Sequence, residues 1–271
     1  MVKIQYDEKK KKWIELEKRA KEGHYIDGFL KANMEAMVRN VTKQNYDGFV
    51  LVTGREGFGK STLAMQLALF CDPKFNIDKV VFTAEQFLEA VENAERYSVI
   101  VFDETMGYLS SRNGMSKFNK VLIKVMSEMR SKNLFVFLCI PNFFMMDWYV
   151  ACHRTTGLLY IKKRGEFASY DYPTKKKLYM LGKKAHSYSV PPNFFGMFTS
   201  YFPLDKDEYE KKKQLAINEW SSDIRLDVRT IQQRNNMVVN SEKSNEEIAE
   251  ILGVTIRQVS RIKKDNSPPA L

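Results

Sequence analysis

The chain contains few cysteines and no long uninterrupted apolar segment. Its 271 residues include Cys71, Cys139 and Cys152 as the three cysteines, too few and too scattered for a disulfide framework, so buried thiols in a reducing cytoplasm are expected. The most apolar stretch, residues 134–152, is interrupted by Pro141 and polar residues, whereas a membrane-spanning helix needs about 20 apolar residues. The polar, lysine-rich N-terminus does not predict a signal peptide. We therefore expect no transmembrane segment and a cytoplasmic location, which is the host cytoplasm if the protein is viral.

Acidic residues are fewer than basic residues. The sequence has 43 Lys and Arg against 33 Asp and Glu, a formal net charge of +10. An excess of this size attracts polyanions, so nucleic acid or an acidic membrane face is a natural partner. The alternative is a lysine coat that only keeps the protein soluble.

A glycine-rich loop follows the first strongly apolar run, residues 49–53. Residues 54–61 read Gly-Arg-Glu-Gly-Phe-Gly-Lys-Ser and precede a helical pattern. This spacing predicts a phosphate-binding loop for ATP, with Lys60 on the β and γ phosphates and the Ser61 hydroxyl on Mg²⁺. The alternative is a glycine turn that only caps a helix. The predicted nucleotide-binding residues are Gly54, Arg55, Glu56, Gly57, Phe58, Gly59, Lys60, Ser61 and Thr62.

Two carboxylates follow the apolar run at residues 98–102. Ligands of open α/β sheets bind at the carboxyl ends of strands, so Asp103 is predicted to hold Mg²⁺ through a water. Glu104 is predicted to be the general base that polarises the attacking water. The alternative is an Asp-Glu pair that caps a helix. The next apolar strand, residues 134–140, ends at Pro141-Asn142, and Asn142 is either a γ-phosphate sensor or an ordinary turn residue.

Apolar strands alternating with helices predict a parallel sheet that is buried on both faces. The predicted fold class is α/β, a three-layer P-loop NTPase core of the RecA/ASCE type, followed by a small all-α module. The more polar segments 167–172 and 177–181 suggest a hairpin at the sheet edge. Basic residues and tyrosines in 162–184 fit either a DNA-backbone contact or a solvated edge.

These motifs, in their order, resemble the FtsK/HerA-type DNA-pumping ATPases, and among them the zonula occludens toxin-like phage assembly ATPases. The resemblance covers residues 48–162 and includes the helix end at 129–133 and the segment 142–154. Relatives usually carry glutamine where this chain has Asn142, and the toxin-like members have a membrane-spanning segment. The resemblance implies a homo-oligomeric ring in which an arginine completes the neighbouring subunit's site.

The candidates for that arginine are Arg130 and Arg154, each of which is alternatively a partner in a surface salt bridge. Arg55 and Arg112 are weaker candidates. An arginine on the γ-phosphate stabilises the transition state of phosphoryl transfer.

The C-terminal segment has the spacing of a helix-turn-helix. Ser244 and Thr255 are positioned to cap two helices, and Gly253 ends the first. The second helix is basic, which predicts DNA binding, although such modules also bind proteins. The predicted DNA-contacting residues are Thr255, Arg257, Gln258, Ser260, Arg261 and Lys264.

The predicted organisation has four parts. They are a charged, helical N-terminal arm (1–40), the ATPase domain (41–204), a charged helix with a linker (205–242) and the helix-turn-helix (243–265). The function expected from these parts is an ATP-hydrolysing motor or processing enzyme of viral or plasmid type that acts on double-stranded DNA in packaging, transfer or segregation. Two alternatives are a replication helicase or helicase loader, and a nucleotide-gated DNA-binding regulator or partition factor.

Overall fold

The computed structural model describes residues 2–7, 12–16, 24–103 and 112–266. The strands in these ranges are β1 (Val2–Asp7), β2 (Lys12–Leu16), β3 (Tyr25–Ile26), β4 (Gly48–Gly54), β5 (Val80–Val81), β6 (Val99–Asp103), β7 (Phe135–Ile140), β8 (Gly157–Lys163), β9 (Glu166–Tyr170) and β10 (Phe194–Met197). The helices are α1 (Gly28–Gln44), α2 (Lys60–Cys71), α3 (Ala84–Asn93), α4 (Arg112–Ser131), α5 (Tyr172–Gly182), α6 (Lys206–Val239), α7 (Asn245–Leu252) and α8 (Ile256–Asn266).

The main sheet has seven strands in the order β10-β9-β8-β4-β7-β6-β5. The strands from β8 to β5 in this order pair in parallel, and β9 and β10 add an antiparallel edge. The predicted α/β class with a mostly parallel sheet is therefore confirmed. Because β4, β7 and β6 run parallel, the glycine loop after β4 and Asp103 at the end of β6 lie at the same end of the sheet, with β7 between the two strands.

Helices cover both faces of this sheet. Consecutive residues of a strand point to opposite faces, so a continuously apolar strand presents apolar side chains on both of them. On one face, Val101 belongs to the same apolar cluster as residues of α1 and α2. On the other face, Phe102 packs on Phe87 of α3 and Phe118 of α4, with ring centroids 5.7 and 4.6 Å away. The strands are buried on both sides, which explains their continuous apolar composition.

The N-terminal segment differs from the predicted helical arm. β1 pairs antiparallel with β2 and β3 in a separate three-stranded sheet. The helical prediction gave too little weight to Val2, Ile4 and Tyr6, which alternate with polar residues in the period of a strand. The helix α1 begins only after Asp27, whose carboxylate accepts a hydrogen bond from the Phe29 amide at 3.1 Å.

The helix α1 is also part of the core. One face of it is buried under the main sheet through Leu30, Met34, Met37 and Val41. The chain therefore joins the core already within residues 1–40, which were predicted to be a charged arm ahead of the ATPase domain.

A second difference lies at the edge of the main sheet. A hairpin between segments 167–172 and 177–181 was predicted, and this prediction is wrong: β9 pairs with β8, and residues 177–181 belong to the helix α5. The Asp171 carboxylate caps this helix, and Lys175 is fully buried, its ammonium donating to the Ala151 and Thr155 carbonyls at 2.8 and 2.6 Å. Burial lowers the pKa of Lys175 to about 8. A helical period turns Leu178 and Tyr179 inward, which the polar composition did not reveal.

The chain divides into two units, Met1–Ala216 and Ile217–Leu271. The predicted linker is wrong, because α6 continues as a helix to Val239. In the second unit, Val238, Ile248, Ala249 and Val259 form a small buried cluster that joins α7 and α8 to the end of α6. Within the described residues, no helix is both long and apolar enough to cross a membrane.

Candidate functional site

The glycine loop connects β4 to α2 at the carboxyl edge of the sheet. Gly54 has a φ of 141°, and a Cβ atom at this position would lie 2.6 Å from the Ile161 carbonyl oxygen. Only glycine therefore allows β4 to pass this close to β8 as it enters the loop. Gly59 has a φ of 97° and directly precedes α2. The first N–H groups of a helix have no partner within it, so the start of α2 provides donors for an anion.

The Lys60 side chain folds back over the loop. Its ammonium donates to the carbonyl oxygens of Gly54 at 3.0 Å and Arg55 at 3.2 Å. Two neutral carbonyls compensate an ammonium less well than charged oxygens do. A phosphate in the adjoining cavity would therefore be a stronger partner for the same group.

A cavity of about 370 Å³ adjoins the loop and the end of β6. Its lining includes Gly57, Lys60, Ser61 and Asp103. Asp103 is almost completely buried, with 2% of its surface exposed. The structure thus brings together the loop, the lysine, the hydroxyl and the first carboxylate that the sequence singled out. Glu104, the predicted general base, lies outside the described residues.

Ser61 and Asp103 offer hard oxygen atoms, the ligand type that Mg²⁺ prefers. In the described residues, no group of three or more His, Cys, Asp or Glu side chains could hold a metal ion by itself. Mg²⁺ in phosphate-binding sites commonly takes one or two carboxylates and completes its shell with phosphate oxygens and water. The residues in this cavity therefore fit an Mg²⁺ ion that arrives with a nucleotide.

Residues of α6 also reach this cavity, which the sequence reasoning missed. The Tyr209 hydroxyl donates a hydrogen bond to Asp103 Oδ2, and the Lys213 ammonium lies 3.7 Å from the same oxygen. Burial and the Asp103 charge raise the pKa of Tyr209, while a hydrogen bond with the Ser61 side chain acts in the opposite direction. The signal in the sequence is Tyr209 itself, the one aromatic residue among the charged residues 205–219.

A second pocket of about 510 Å³ adjoins the first along the loop. Phe58, Thr62, Arg164 and Phe198 contribute to its lining. The Arg164 guanidinium donates to the Gly57 carbonyl oxygen at 2.9 Å, which ties the β8–β9 turn to the loop. Two aromatic rings and a guanidinium beside the loop make this pocket suitable for a planar, polar ring such as a nucleobase.

Asn142 follows β7 as predicted, but its side chain is engaged elsewhere. Its oxygen accepts a hydrogen bond from the Phe144 amide at 2.9 Å, and its nitrogen lies 2.8 Å from His186 Nδ1. The neighbouring Pro141, rather than Asn142, contributes to the lining of the first cavity. These contacts are those of a turn residue, and the sensor role stays a prediction.

Arg130 and Arg154 lie near the amino ends of the parallel strands, whereas the glycine loop of the same chain lies at their carboxyl ends. Arg130 lies in the last turn of α4, shortly before the start of β7, and Arg154 precedes β8. A strand of six residues spans about 20 Å, so neither side chain reaches the nucleotide cavity of its own chain. Arg130 is exposed, with its guanidinium 5.8 Å from the centre of the Tyr46 ring. Of the weaker candidates, Arg55 is exposed on the loop, and the structure does not describe the Arg112 side chain.

In the second unit, α7 and α8 have the caps that the sequence indicated. Ser244 and Glu247 bond each other's backbone amides at the start of α7, and Gly253 ends that helix with a φ of 63°. The Thr255 hydroxyl accepts a hydrogen bond from the Gln258 amide at 3.3 Å. All six residues predicted to contact DNA are exposed. Among them, the Gln258 side chain accepts bonds from Thr255 and thus shares in the cap.

The comparison with protein families agrees with a nucleotide-binding fold. Residues 32–144, less than half of the chain, match the family described as Novel STAND NTPase 3. The structure of EssC (ATPases 2 and 3) from Geobacillus thermodenitrificans matches with a TM-score of 0.34 and 9% identity over 82% of this chain. The match covers 49% of that structure, so this chain spans about half its length. No curated protein sequence matches the chain.

The matched segment contains β4, the glycine loop, α2, β6 and β7. It is a nucleotide-binding P-loop NTPase domain, similar to the STAND type. This confirms the broad prediction of a P-loop NTPase. The narrower resemblance to the FtsK/HerA-type DNA pumps stays a proposal.

Proposed function

We propose that the chain is a magnesium-dependent ATPase that binds double-stranded DNA and moves or processes it, in packaging, transfer or segregation of a viral or plasmid genome. One observation carries the ATPase proposal: Lys60, Ser61 and Asp103 line the same cavity at the mouth of the glycine loop. The DNA part is supported by the basic face of α8 in the second unit.

ATP fits the two adjoining pockets in one orientation. The phosphates would lie along residues 57–62, where the start of α2 and the Lys60 ammonium oppose their charge. The base and ribose would occupy the second pocket, beside Phe58, Arg164 and Phe198. Mg²⁺, held by Ser61 and Asp103, would neutralise charge on the phosphate oxygens. Glu104 would accept the proton of the attacking water.

If hydrolysis follows the usual P-loop pattern, the site also needs an arginine that stabilises the charge on the γ-phosphate in the transition state. Arg130 is exposed at the edge of the sheet away from its own cavity, so it suits a role in the site of a neighbouring subunit. Arg154 is less suited, because its guanidinium donates to Asp47 at 3.0 Å and to the Met126 carbonyl at 3.1 Å. A homo-oligomeric ring, with Arg130 acting between subunits, is therefore part of the proposal.

The helix α8 presents cations on its exposed side. Arg257, Arg261 and Lys264 are exposed there, and Arg261 lies 3.4 Å from Asp265 on the same helix. Arginine pairs with guanine edges and lysine with phosphates. The exposed Ser260 and the cap residues Thr255 and Gln258 would complete the contact. Binding of this kind weakens steeply with salt.

ATP hydrolysis by the full chain tests this proposal, measured with no DNA, with duplex DNA and with single-stranded DNA. We expect turnover that duplex DNA stimulates, and a loss of at least about 100-fold in Glu104→Gln, which should still bind ATP. The double variant Arg257→Ala/Arg261→Ala should keep basal turnover and lose the stimulation. A parent rate no higher than that of Lys60→Ala would overturn the ATPase proposal, and hydrolysis indifferent to DNA would overturn the DNA part. Strand displacement would point to the helicase alternative.

A specific observation favours a second candidate, a nucleotide-gated DNA-binding regulator or partition factor. Tyr209 in the first turns of α6 already donates a hydrogen bond to Asp103, so nucleotide binding with Mg²⁺ would displace an existing contact within the protein. A regulator would show negligible hydrolysis, and Glu104→Gln would change nothing. Its affinity for an operator would differ between the ATP-bound and the nucleotide-free protein.

A further inference from the structure

The buried carboxylate that would serve Mg²⁺ is already occupied by groups from α6. Asp103 Oδ2 accepts the hydrogen bond of the Tyr209 hydroxyl and has the Lys213 ammonium at 3.7 Å. Lys213 also donates to the Tyr209 oxygen at 3.3 Å. A buried carboxylate needs a compensating charge and donors, and a hydroxyl and an ammonium supply both here.

The segment that carries these groups is anchored at several points in the first unit. The Tyr209 ring packs on Phe82 and Phe202, with centroids 5.6 and 5.0 Å apart. The Lys212 ammonium donates to the carbonyl oxygens of Ile77 at 2.9 Å and Val80 at 2.8 Å. Contacts from this helix to residues on both sides of β5 hold its first turns against the cavity.

The position of Tyr209 conflicts with the chemistry of a metal site. An Mg²⁺ ion between Ser61 and Asp103 uses a carboxylate oxygen of Asp103, directly or through a bound water. The Tyr209 hydroxyl occupies Oδ2, and Tyr209 lines the same cavity as Ser61. A side chain of α6 therefore holds the carboxylate oxygen that a metal beside Ser61 would use.

We propose that the first turns of α6 form a latch, in which Tyr209 and Lys213 take the place of Mg²⁺ at Asp103. Magnesium-nucleotide binding and the latch exclude each other. Mg·ATP binding releases Tyr209 from Asp103, and loss of Mg²⁺ restores the contact. This regulation rests on the proposed nucleotide site.

The experiment measures the Mg²⁺ requirement of nucleotide binding rather than turnover. A fluorescent ATP analogue is titrated into the full chain in EDTA and at a series of Mg²⁺ concentrations. The variant Tyr209→Phe removes the hydroxyl but keeps the ring between Phe82 and Phe202. The matched control is Tyr179→Phe, another buried tyrosine, whose hydroxyl donates to the Met146 carbonyl at 2.8 Å.

Breaking a hydrogen bond to a charged group lowers the equilibrium constant for binding of the competing metal by about tenfold. We therefore expect Tyr209→Phe to lower the Mg²⁺ concentration for half-maximal analogue binding by about tenfold. Tyr179→Phe should behave as the parent does. Binding in EDTA should be similar in all three proteins, because the latch opposes the metal and not the phosphates.

Hydrogen exchange provides a second readout that does not depend on the variant. In the parent, the backbone amides of residues 209–213 should exchange faster with Mg²⁺ and ATP together than with ATP in EDTA. If Tyr209→Phe binds the analogue and keeps the parent's Mg²⁺ requirement, or if exchange in this segment is unchanged by Mg²⁺, the latch is refuted. If no protein binds the analogue under any condition, the nucleotide site itself is refuted and the latch falls with it.

Discussion

Arg154 and Asp47 form an ion pair at the sheet edge opposite to the glycine loop, with 3.0 Å between Nη2 and Oδ2. Asp47 precedes β4, and Arg154 precedes β8, the parallel neighbour of β4. The pair is shielded, because 17% of the arginine side chain and 8% of the aspartate side chain are exposed. The arginine therefore joins the starts of two neighbouring strands.

The first prediction concerns this pair. Arg154→Gln leaves a shielded carboxylate without its partner, so we expect a loss of about 2 kcal/mol in the free energy of unfolding. A double-mutant cycle with Asp47→Asn, measured by urea denaturation, should give a coupling of about 1–2 kcal/mol. The contrary result is a folded Arg154→Gln that has lost ATPase activity while Asp47→Asn keeps it, which would favour the predicted role between subunits.

The second prediction concerns Lys60. Lys60→Ala removes the ammonium that opposes the phosphate charge, and we expect ATP affinity to fall by about 100-fold. Equilibrium dialysis or fluorescence titration measures this. Lys43→Ala, at an exposed position in the last turn of α1, is the control and should bind ATP as the parent does. Equal affinities in the two variants would contradict the assignment of the loop.

The third prediction separates the two pockets. Phe198 is 8% exposed, and its ring lies against Gly59, where a Cβ would be 3.0 Å away. Phe198→Leu keeps an apolar side chain but removes the ring, so ATP affinity should fall by about tenfold, the worth of one stacked base. Inorganic tripolyphosphate should bind parent and variant equally, as measured by competition. The control Phe195→Leu changes a ring that is 59% exposed and should leave ATP affinity unchanged. A parallel loss of tripolyphosphate binding would count against the base pocket.

The fourth prediction concerns pH. Burial lowers the pKa of His24 to about 4, and a hydrogen bond with the Gln66 backbone acts in the opposite direction. The unfolded chain, with a histidine pKa of about 6.5, therefore binds the proton more readily than the folded chain. The contribution of His24 to the free energy of unfolding is fully present above about pH 6.5 and is lost as the pH falls toward 4. This loss should be about 2 kcal/mol between pH 7 and pH 5.

The measurement is urea denaturation at pH 5, 6 and 7 for the parent and for His24→Gln. The variant lacks the titrating group, so the difference in unfolding free energy between the two proteins should shrink toward low pH. The carboxylates titrate in both proteins and cancel in the comparison. A difference that stays constant over this range would show that His24 does not titrate in this way.

The glycine loop could be identified without coordinates because its chemistry is local. Three glycines with positive φ, a lysine and a hydroxyl lie within eight consecutive residues, between an apolar strand and a helix. The continuous apolar strands likewise predicted a parallel sheet, since burial on both faces leaves no polar alternation. The caps at Ser244 and Thr255 are local in the same sense.

Local patterns were misleading where burial and not composition determines the element. The polar composition of 177–181 suggested one strand of an edge hairpin, but the segment is helical, and Lys175 in the same helix is buried and donates to backbone carbonyls. The segment 205–242 was predicted to be a charged helix followed by a linker, yet α6 continues as one helix to Val239.

The sequence by itself determined which residues form the phosphate loop, because the conformational needs of that loop are met by residues adjacent in the chain. Only the tertiary structure decided what faces the loop. Tyr209 lies 106 residues after Asp103, and their contact depends on where α6 packs. No local pattern encodes such a distance, because it results from the packing of the whole first unit around its sheet.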